Sequence, residues 1–453
     1  MKMKTQTKNV RELMVELLLQ IEKNQAYSNL LLNQAIKKNQ VPAKDIGLLT
    51  EVVYGTIQRK LTLDYYIKPF LKNPKKVEEW VVVLLRMTVY QMQFLSKIPD
   101  RAAIFEAVEI AKKRGHKGTA SMVNGVLRSM QREGIPSIES VKDPIERLSI
   151  EMSFPIWLIQ RWVKQYGIEE TRSLCESTLK PPTTSARVNS SRINKEDLLL
   201  KLEEEGIQAE YGDLSEDAVK IERGNFANSN AFKDGLLTIQ DESSMLVARA
   251  LGPESGEHIL DSCAAPGGKT THIAELLNGT GKVISVDLHE HKVKLIKEQV
   301  DRLHLTNVET MATDSRKLQE VFEKESFDRI LIDAPCSGLG VIRRKPDIKY
   351  QKQEKDIIHL ATIQSTILAS VAPLLKKGGT LVYSTCTMDK EENDEVVEKF
   401  LNHHDEYERD LTVVNRLPEK IRGHAVTKDG QVQILPHHFG TDGFFISCLR
   451  KRV

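Results

Sequence analysis

What this chain has little of narrows its class before any motif is read. Cysteine is scarce and odd in number: Cys175, Cys263, Cys336, Cys386 and Cys448 are the five, and none forms a Cys-x-x-Cys pair. That pattern argues against a disulfide framework or a zinc site, so no metal is expected. No apolar run reaches the roughly 18 residues that a membrane span needs, so no membrane partner is expected. The basic start Met1-Lys2-Met3-Lys4 leads into an apolar stretch that Glu16 interrupts, and no small-residue cleavage site follows. This is not the plan of a signal peptide, and a cytoplasmic protein is expected. There is neither an internal repeat nor a low-complexity tract. With 40% apolar and 28% charged residues, the chain reads as ordinary globular domains.

Net charge is also nearly absent, at +2 over 453 residues, yet its distribution is lopsided. Residues 1–134 hold 23 Lys/Arg against 12 Asp/Glu, a net of +11, which leaves −9 for the rest. A basic third on a mildly acidic body suits a module that holds a polyanion by its phosphates. A length of 453 residues exceeds one ordinary core and implies several domains.

Periodicity divides the chain in three. In residues 1–135, apolar residues recur at helical spacing in Val10 to Ile21, Tyr27 to Lys37, Lys44 to Gln58, Leu61 to Phe70, Val77 to Phe94, Ile104 to Arg114 and Thr119 to Arg132. Pro42, Pro74, Pro99 and Gly115-His116-Lys117-Gly118 separate them, predicting an all-α bundle. Residues 136–235 mix short helices with strand-like pieces at Thr184 to Val188, Ala218 to Ile221 and Leu236 to Ile239, as in a small α+β linker domain. Arg187, behind the stiff Pro181-Pro182 lead, is a candidate contact to phosphate or substrate or an ordinary surface arginine. In residues 236–453 strands at 258–263, 282–287, 308–312, 328–333 and 379–386 alternate with helices at 269–278, 290–303, 315–323, 354–375 and 391–402. Such alternation predicts a parallel sheet covered on both faces, a Rossmann-like α/β domain. Two late strands, Gln431 to Leu435 and Phe444 to Leu449, would add an antiparallel edge.

Ligands of such sheets bind beyond the carboxyl ends of the strands, and three segments should converge there. The first is the turn Cys263-Ala264-Ala265-Pro266-Gly267-Gly268-Lys269-Thr270, where glycines let the backbone approach a ligand at a helix N-terminus. Asp287 ends the next strand, 20 residues past Gly267, the spacing at which an acid bonds ribose hydroxyls. Asp314 ends the third, placed for the nucleobase. A P-loop reading of Gly268-Lys269-Thr270 would need glycine at position 263, which is Cys263. Two acids suit adenosine better than a triphosphate, and S-adenosyl-L-methionine meets that demand.

The other two segments, Asp333-Ala334-Pro335-Cys336-Ser337-Gly338 and Ser384-Thr385-Cys386-Thr387, each end a strand with a thiol. Carbon 5 of a pyrimidine is too weak a nucleophile to take a methyl group unaided. A thiolate adding to carbon 6 makes it enamine-like, an acid at N3 stabilises the adduct, and a base must remove the carbon 5 proton before the thiol leaves. Cys336, Cys386 and Asp333 match those needs, though spacing does not say which thiol attacks. Buried, inert cysteines are the plain alternative.

At these residues the chain resembles the Nol1/Nop2/Sun family of RNA cytosine-C5 methyltransferases, over about residues 145–452. The resemblance rests on Cys263 to Thr270, Asp333 to Gly338, Thr385-Cys386 with Glu391-Glu392-Asn393 behind, and Gly440-Thr441-Asp442-Gly443-Phe444-Phe445. It implies a class I S-adenosylmethionine-dependent fold, Cys386 as nucleophile and Cys336 as the thiol assisting release. Cofactor contacts carry over to Cys263, Ala264, Ala265, Pro266, Gly267, Gly268, Lys269, Asp287, Asp314 and Asp333. Ser262, Thr387 and Tyr350 depart from the residues more usual in the family. The segment Arg343-Arg344-Lys345-Pro346-Asp347-Ile348-Lys349-Tyr350 is a candidate for gripping RNA phosphates or closing over the base, with a solvated charge run as the plain alternative. Val53-Tyr54-Gly55, Leu85 to Gln91 and Val123 to Arg128 resemble the NusB-like RNA-binding domain. The pairing implies a monomeric enzyme whose partner is 16S rRNA, methylated at nucleotide 967 by resemblance alone. A C5 methyltransferase of tRNA or 23S rRNA, and a non-catalytic RNA-binding assembly or antitermination factor, stand as the alternatives.

Overall fold

The computed structural model describes residues 9–24, 28–427 and 429–453. Tyr27 and the Met1 to Lys4 start lie outside them. The chain divides into two compact units: one holds the residues up to Leu179 together with Arg344–Lys352, the other Lys180–Arg343 and Gln353–Val453.

In the first unit, helices Val10–Asn24, Ser28–Lys38, Ala43–Gln58, Lys60–Ile67, Glu79–Phe94, Asp100–Arg114 and Lys117–Glu133 form the bundle. Pro42 and Pro99 stand at N-caps and Pro74 opens a 3₁₀ turn, where a missing N–H costs nothing. Leu49, Val53, Leu63, Leu84, Met87, Val123 and Leu127 pack one core. Three further helices, Pro144–Met152, Ile156–Tyr166 and Ile168–Thr178, belong to the same unit.

Of the segment offered as a grip on phosphates, the residues from Arg344 onward belong to this unit, and its end is packed inward. Asp347, Ile348 and Lys349 are buried. The Lys349 ammonium donates to the Gln58 carbonyl at 2.8 Å and lies 4.1 Å from the Phe154 ring centroid. Tyr350 donates its hydroxyl to the Ser153 carbonyl at 2.8 Å, and Ser28 Oγ donates to Asp347 at 2.5 Å. The end of this charge run is drawn inward because Tyr350 packs against the apolar core and Lys349 finds an acceptor and aromatic faces.

The second unit opens with a four-stranded antiparallel sheet of β1 (Ser185–Val188), β2 (Gln208–Tyr211), β3 (Ala218–Arg223) and β4 (Leu237–Ile239), in the order β2-β3-β1-β4. The larger sheet comprises β5 (His258–Asp261), β6 (Lys282–Asp287), β7 (Val308–Ala312), β8 (Phe327–Asp333), β9 (Leu375–Thr385), β10 (Tyr407–Arg409), β11 (Val432–Ile434) and β12 (Phe444–Lys451). Its order is β7-β6-β5-β8-β9-β12-β10, with β11 paired to β12. Strands β5 to β9 run parallel and β12 is antiparallel. The late strands are thus antiparallel, as expected, but β12 lies inside the sheet. The edge is β10, three residues long and without an apolar alternation to betray it.

Strand period two sends Ile330 and Ile332 to the core under helices Glu354–Val371 and Asp394–Leu401, and Leu331 to the core under Glu242–Leu251 and Gly268–Leu276. By length and composition, Glu354–Leu374 is apolar enough to cross a membrane, with mean hydropathy 1.5. Gln364, Ser365 and Thr366 keep it from being a continuous apolar run. Here Ile357, Ile367, Leu368 and Val371 are buried, as in a core helix of a layered sheet.

Candidate active site

Winding reverses between β5 and β8, and the crevice outside the carboxyl ends of these neighbours is where an open α/β sheet takes its ligand. β5 leads into the glycine-rich turn. Gly267 has φ of 103°, and a Cβ there would stand 3.1 Å from the Ile296 backbone, so only glycine makes this turn into helix Gly268–Leu276. Ala264 N donates to the Val286 carbonyl at 2.9 Å and Ala265 N to Asp287 Oδ2 at 3.2 Å, so the turn leans on the end of β6. Asp287 is buried and lies 3.7 Å from the Lys292 ammonium. Asp314 caps the 3₁₀ turn Ser315–Glu320 and accepts a forked pair of bonds from Arg316, which holds its carboxyl below the usual range.

Across the reversal, Lys269 Nζ donates to Asp333 Oδ2 at 2.6 Å. Burial alone would lower the lysine's pKa, but the carboxylate beside it outweighs burial and raises it. The ammonium also lies 4.9 Å from the Phe444 ring centroid. Register sets Asp333 opposite Ser384, whose Oγ donates to Asp333 Oδ1 at 2.8 Å. Cys336 follows Asp333 by three residues and Cys386 follows Ser384 by two, so the loops leaving β8 and β9 bring the thiols together. Their Sγ atoms are 3.4 Å apart, and both cysteines are partly accessible and free of disulfide. The hydrogen bond to Cys386, then burial, then negative charge on Cys386 push the Cys336 thiol well up. These three causes favour the protonated thiol at Cys336. Cys263, by contrast, is pushed up to about 12 by burial.

The loops are held from behind. Glu392 accepts from Ser337 N at 2.8 Å and Ser337 Oγ at 2.5 Å. Asn393 accepts from Thr385 Oγ1 at 2.5 Å and donates to the Thr387 carbonyl at 3.2 Å. Gly340 N donates to the Cys386 carbonyl at 3.0 Å, and any Cβ at Gly340 would collide with Gly443 O at 2.1 Å.

Arg187 is neither a surface residue nor exposed to any ligand. It is fully buried and forks onto Glu275 at 2.8 and 2.9 Å, while reaching the Gly268 carbonyl at 2.8 Å and Thr271 Oγ1 at 3.0 Å. Thr271 and Glu275 are one helical turn apart on the same face. An arginine inside a fully buried four-residue strand was the available signal; its partner 88 residues away was not. Asp261 also escaped notice: wholly buried, bonded to Thr270 Oγ1 at 2.6 Å and pushed up to about 7 by burial.

Parallel strands wound from a central reversal, one antiparallel strand inserted beside the last of them, and a glycine-rich turn facing an acid on the next strand define a class I methyltransferase. Family models extend this along the chain: "16S rRNA methyltransferase RsmB/F" matches residues 248–450, "NusB family" residues 8–132, and "Methyltr_RsmF/B-like, ferredoxin-like domain" residues 154–226. The chain is 57% identical to "Probable ribosomal RNA small subunit methyltransferase B" of Bacillus subtilis (strain 168), covering 98% of this chain and 99% of the relative. It is 33% identical to the protein of the same name from Synechocystis sp., again over 98% and 99%. The crystal structure of PH0851 superposes with a TM-score of 0.81 at 30% identity, over 100% of both chains. The chain belongs to the ribosomal RNA small subunit methyltransferase B family.

Proposed function

We propose that this protein methylates carbon 5 of one cytosine of 16S rRNA, nucleotide 967, through a covalent bond between Cys386 and carbon 6 of the base. The observation that carries this reading is the pair of thiols 3.4 Å apart, beside the Lys269–Asp333 pair, at the crevice of the sheet. The residues present fit S-adenosyl-L-methionine: Gly267 and Gly268 leave the turn bare of side chains, and Asp287 stands where ribose hydroxyls would bond. When bound, that cofactor supplies a methyl group on a sulfonium, which carbon 5 takes.

Cys386 adds to carbon 6 as a thiolate, and the 5,6 electron pair is drawn through carbon 4 onto N3, which Asp333 stabilises in its protonated form by donating a hydrogen bond there. The same step alters Cys336. Once Cys386 is bonded to carbon, its hydrogen bond and charge no longer hold the Cys336 thiol up, and Cys336 releases its proton to solvent. Its thiolate then takes the carbon 5 proton, the C–H pair re-forms the 5,6 double bond, and the C–S bond breaks to return Cys386. Only an unstacked base admits a thiol to carbon 6, so the target lies in a loop or a locally opened segment. The basic, NusB-like unit supplies sequence-tolerant affinity for RNA phosphates, which weakens as salt rises.

The test is methyl transfer from labelled S-adenosyl-L-methionine to deproteinised 16S rRNA lacking the modification, with the product position mapped. Cys386→Ala is expected to lose both transfer and adduct, and Cys336→Ala to accumulate an RNA adduct that survives a denaturing gel. Full activity in Cys386→Ala would discard the mechanism; transfer to tRNA or 23S rRNA alone would discard the substrate.

A further inference from the structure

The release step asks more of Cys336 than of any other group, because its thiol must stay within reach of carbon 5 after its partner has moved onto the base. Two buried side chains grip the turn that carries it. On one side, Gln364 Nε2 donates to the Pro335 carbonyl at 2.9 Å. On the other, Glu392 takes both the backbone N–H of Ser337 and its hydroxyl. The two grips are joined, since Gln364 Nε2 also donates to Glu392 Oε1 at 3.1 Å. Ser337 Oγ lies 2.9 Å from Thr387 Oγ1, in the loop of Cys386, and the Tyr383 hydroxyl donates to the Glu392 backbone carbonyl at 2.6 Å. Glu392, Gln364, Tyr383 and Thr387 are all fully buried. A carboxylate in such a place is costly unless bonded, and its bonds go almost entirely to the turn around Cys336.

We propose that Glu392 is a positioning residue for the release step: with Gln364 it clamps Pro335 and Ser337 on either side of Cys336, and holds the thiol at the carbon 5 face while Cys386 is tied to the base. This rests on the assignment of Cys336 to release made above. Burial raises the Glu392 carboxyl while its bonds from Ser337 oppose that rise, and its charge adds to the factors that keep the neighbouring thiol protonated until it is needed. The clamp bears directly on the turn of Cys336 and reaches the loop of Cys386 only through Ser337 and Thr387, while Asp333 is held separately through Lys269 and Ser384.

Full-length variants are compared with unmodified 16S rRNA and S-adenosyl-L-methionine in single-turnover and multiple-turnover assays, with the covalent RNA adduct quantified on denaturing gels. A thiol displaced by about 1 Å loses on the order of 10²-fold in its own step. Glu392→Ala is therefore expected to accumulate adduct and slow multiple turnover by roughly that factor, with single-turnover methyl transfer little changed. Glu392→Gln keeps an acceptor for the Ser337 amide and is expected to recover most of the release rate. Release at the wild-type rate in a folded Glu392→Ala, or equal loss of transfer and release without adduct, overturns the proposal. Should Glu392→Ala fail to fold, Gln364→Ala removes the Pro335 grip and is held to the same adduct criterion. Cys336→Ala runs alongside: if it accumulates no adduct, the assignment of Cys336 to release fails, whereas adduct there but none in the clamp variants defeats the clamp alone.

Discussion

Replacing Arg187 by methionine keeps most of the side-chain volume and deletes the guanidinium. Glu275, with 1% of its side chain exposed, would keep its charge and lose its fork of bonds at 2.8 and 2.9 Å. Gln240, Thr271 and the Gly268 carbonyl would lose a donor at the same time. Removing one partner of a buried ion pair costs about 3–5 kcal/mol, most of it the penalty of the stranded charge. At about 2 °C per kcal/mol for a unit of this size, the melting transition of the second unit is expected to fall by roughly 6–10 °C. Because Gly268 and Thr271 form the first turn of the helix behind the cofactor loop, affinity for S-adenosyl-L-methionine should fall as well, by about tenfold for each 1.4 kcal/mol not recovered on binding. The stranded-charge argument makes a sharper demand on the double variant Arg187→Met/Glu275→Met, which should melt above either single variant. Differential scanning fluorimetry with and without cofactor measures all three. A single-variant loss under about 2 °C, or a double variant no better than the singles, would refute the reasoning.

Two further perturbations address other parts of the chain. Burial lowers Lys349 to about 7. Unfolded, the lysine binds its proton up to about pH 10.4, so the unfolded chain holds more protons between these values and stability rises with pH across that window, by at most about 1.4 kcal/mol per pH unit. The melting advantage of Lys349→Met over wild type should therefore be larger at pH 7 than at pH 9; an equal difference at both would show the ammonium to be well solvated. Diamide should oxidise the neighbouring Cys336 and Cys386 to a disulfide, abolishing methyl transfer while sparing cofactor binding, with dithiothreitol restoring activity. Peptide mapping that finds either cysteine still alkylatable after full inactivation would count against it.

The crevice was legible because its residues sit at strand ends, and strands announce themselves locally. Apolar runs ending at Cys263, Asp287 and Asp333 needed no knowledge of the fold to be placed side by side. The clamp and the buried ion pair were not legible, since each joins residues through space: Ser337 to Glu392 over 55 residues, Arg187 to Glu275 over 88. The burial of Lys349 was not legible in a basic run, because Phe154 and the Gln58 carbonyl that line it lie far along the chain. Within the 136–235 stretch the helices up to Thr178 lie in one compact unit and the sheet in the other, although one ferredoxin-like family model spans 154–226. Mixed short elements carry no local mark of which core they join.

Because the nine residues Arg344–Lys352 belong to the first unit, the chain passes between units three times, after Leu179, Arg343 and Lys352. No single scission or truncation can part them cleanly. A fragment ending before Lys180 leaves the Gln58 carbonyl and Ser153 without Lys349 and Tyr350, and one starting there carries Ile348 and Tyr350 without the residues they pack against. Parting the helical module from the rest therefore means rewriting this excursion as well.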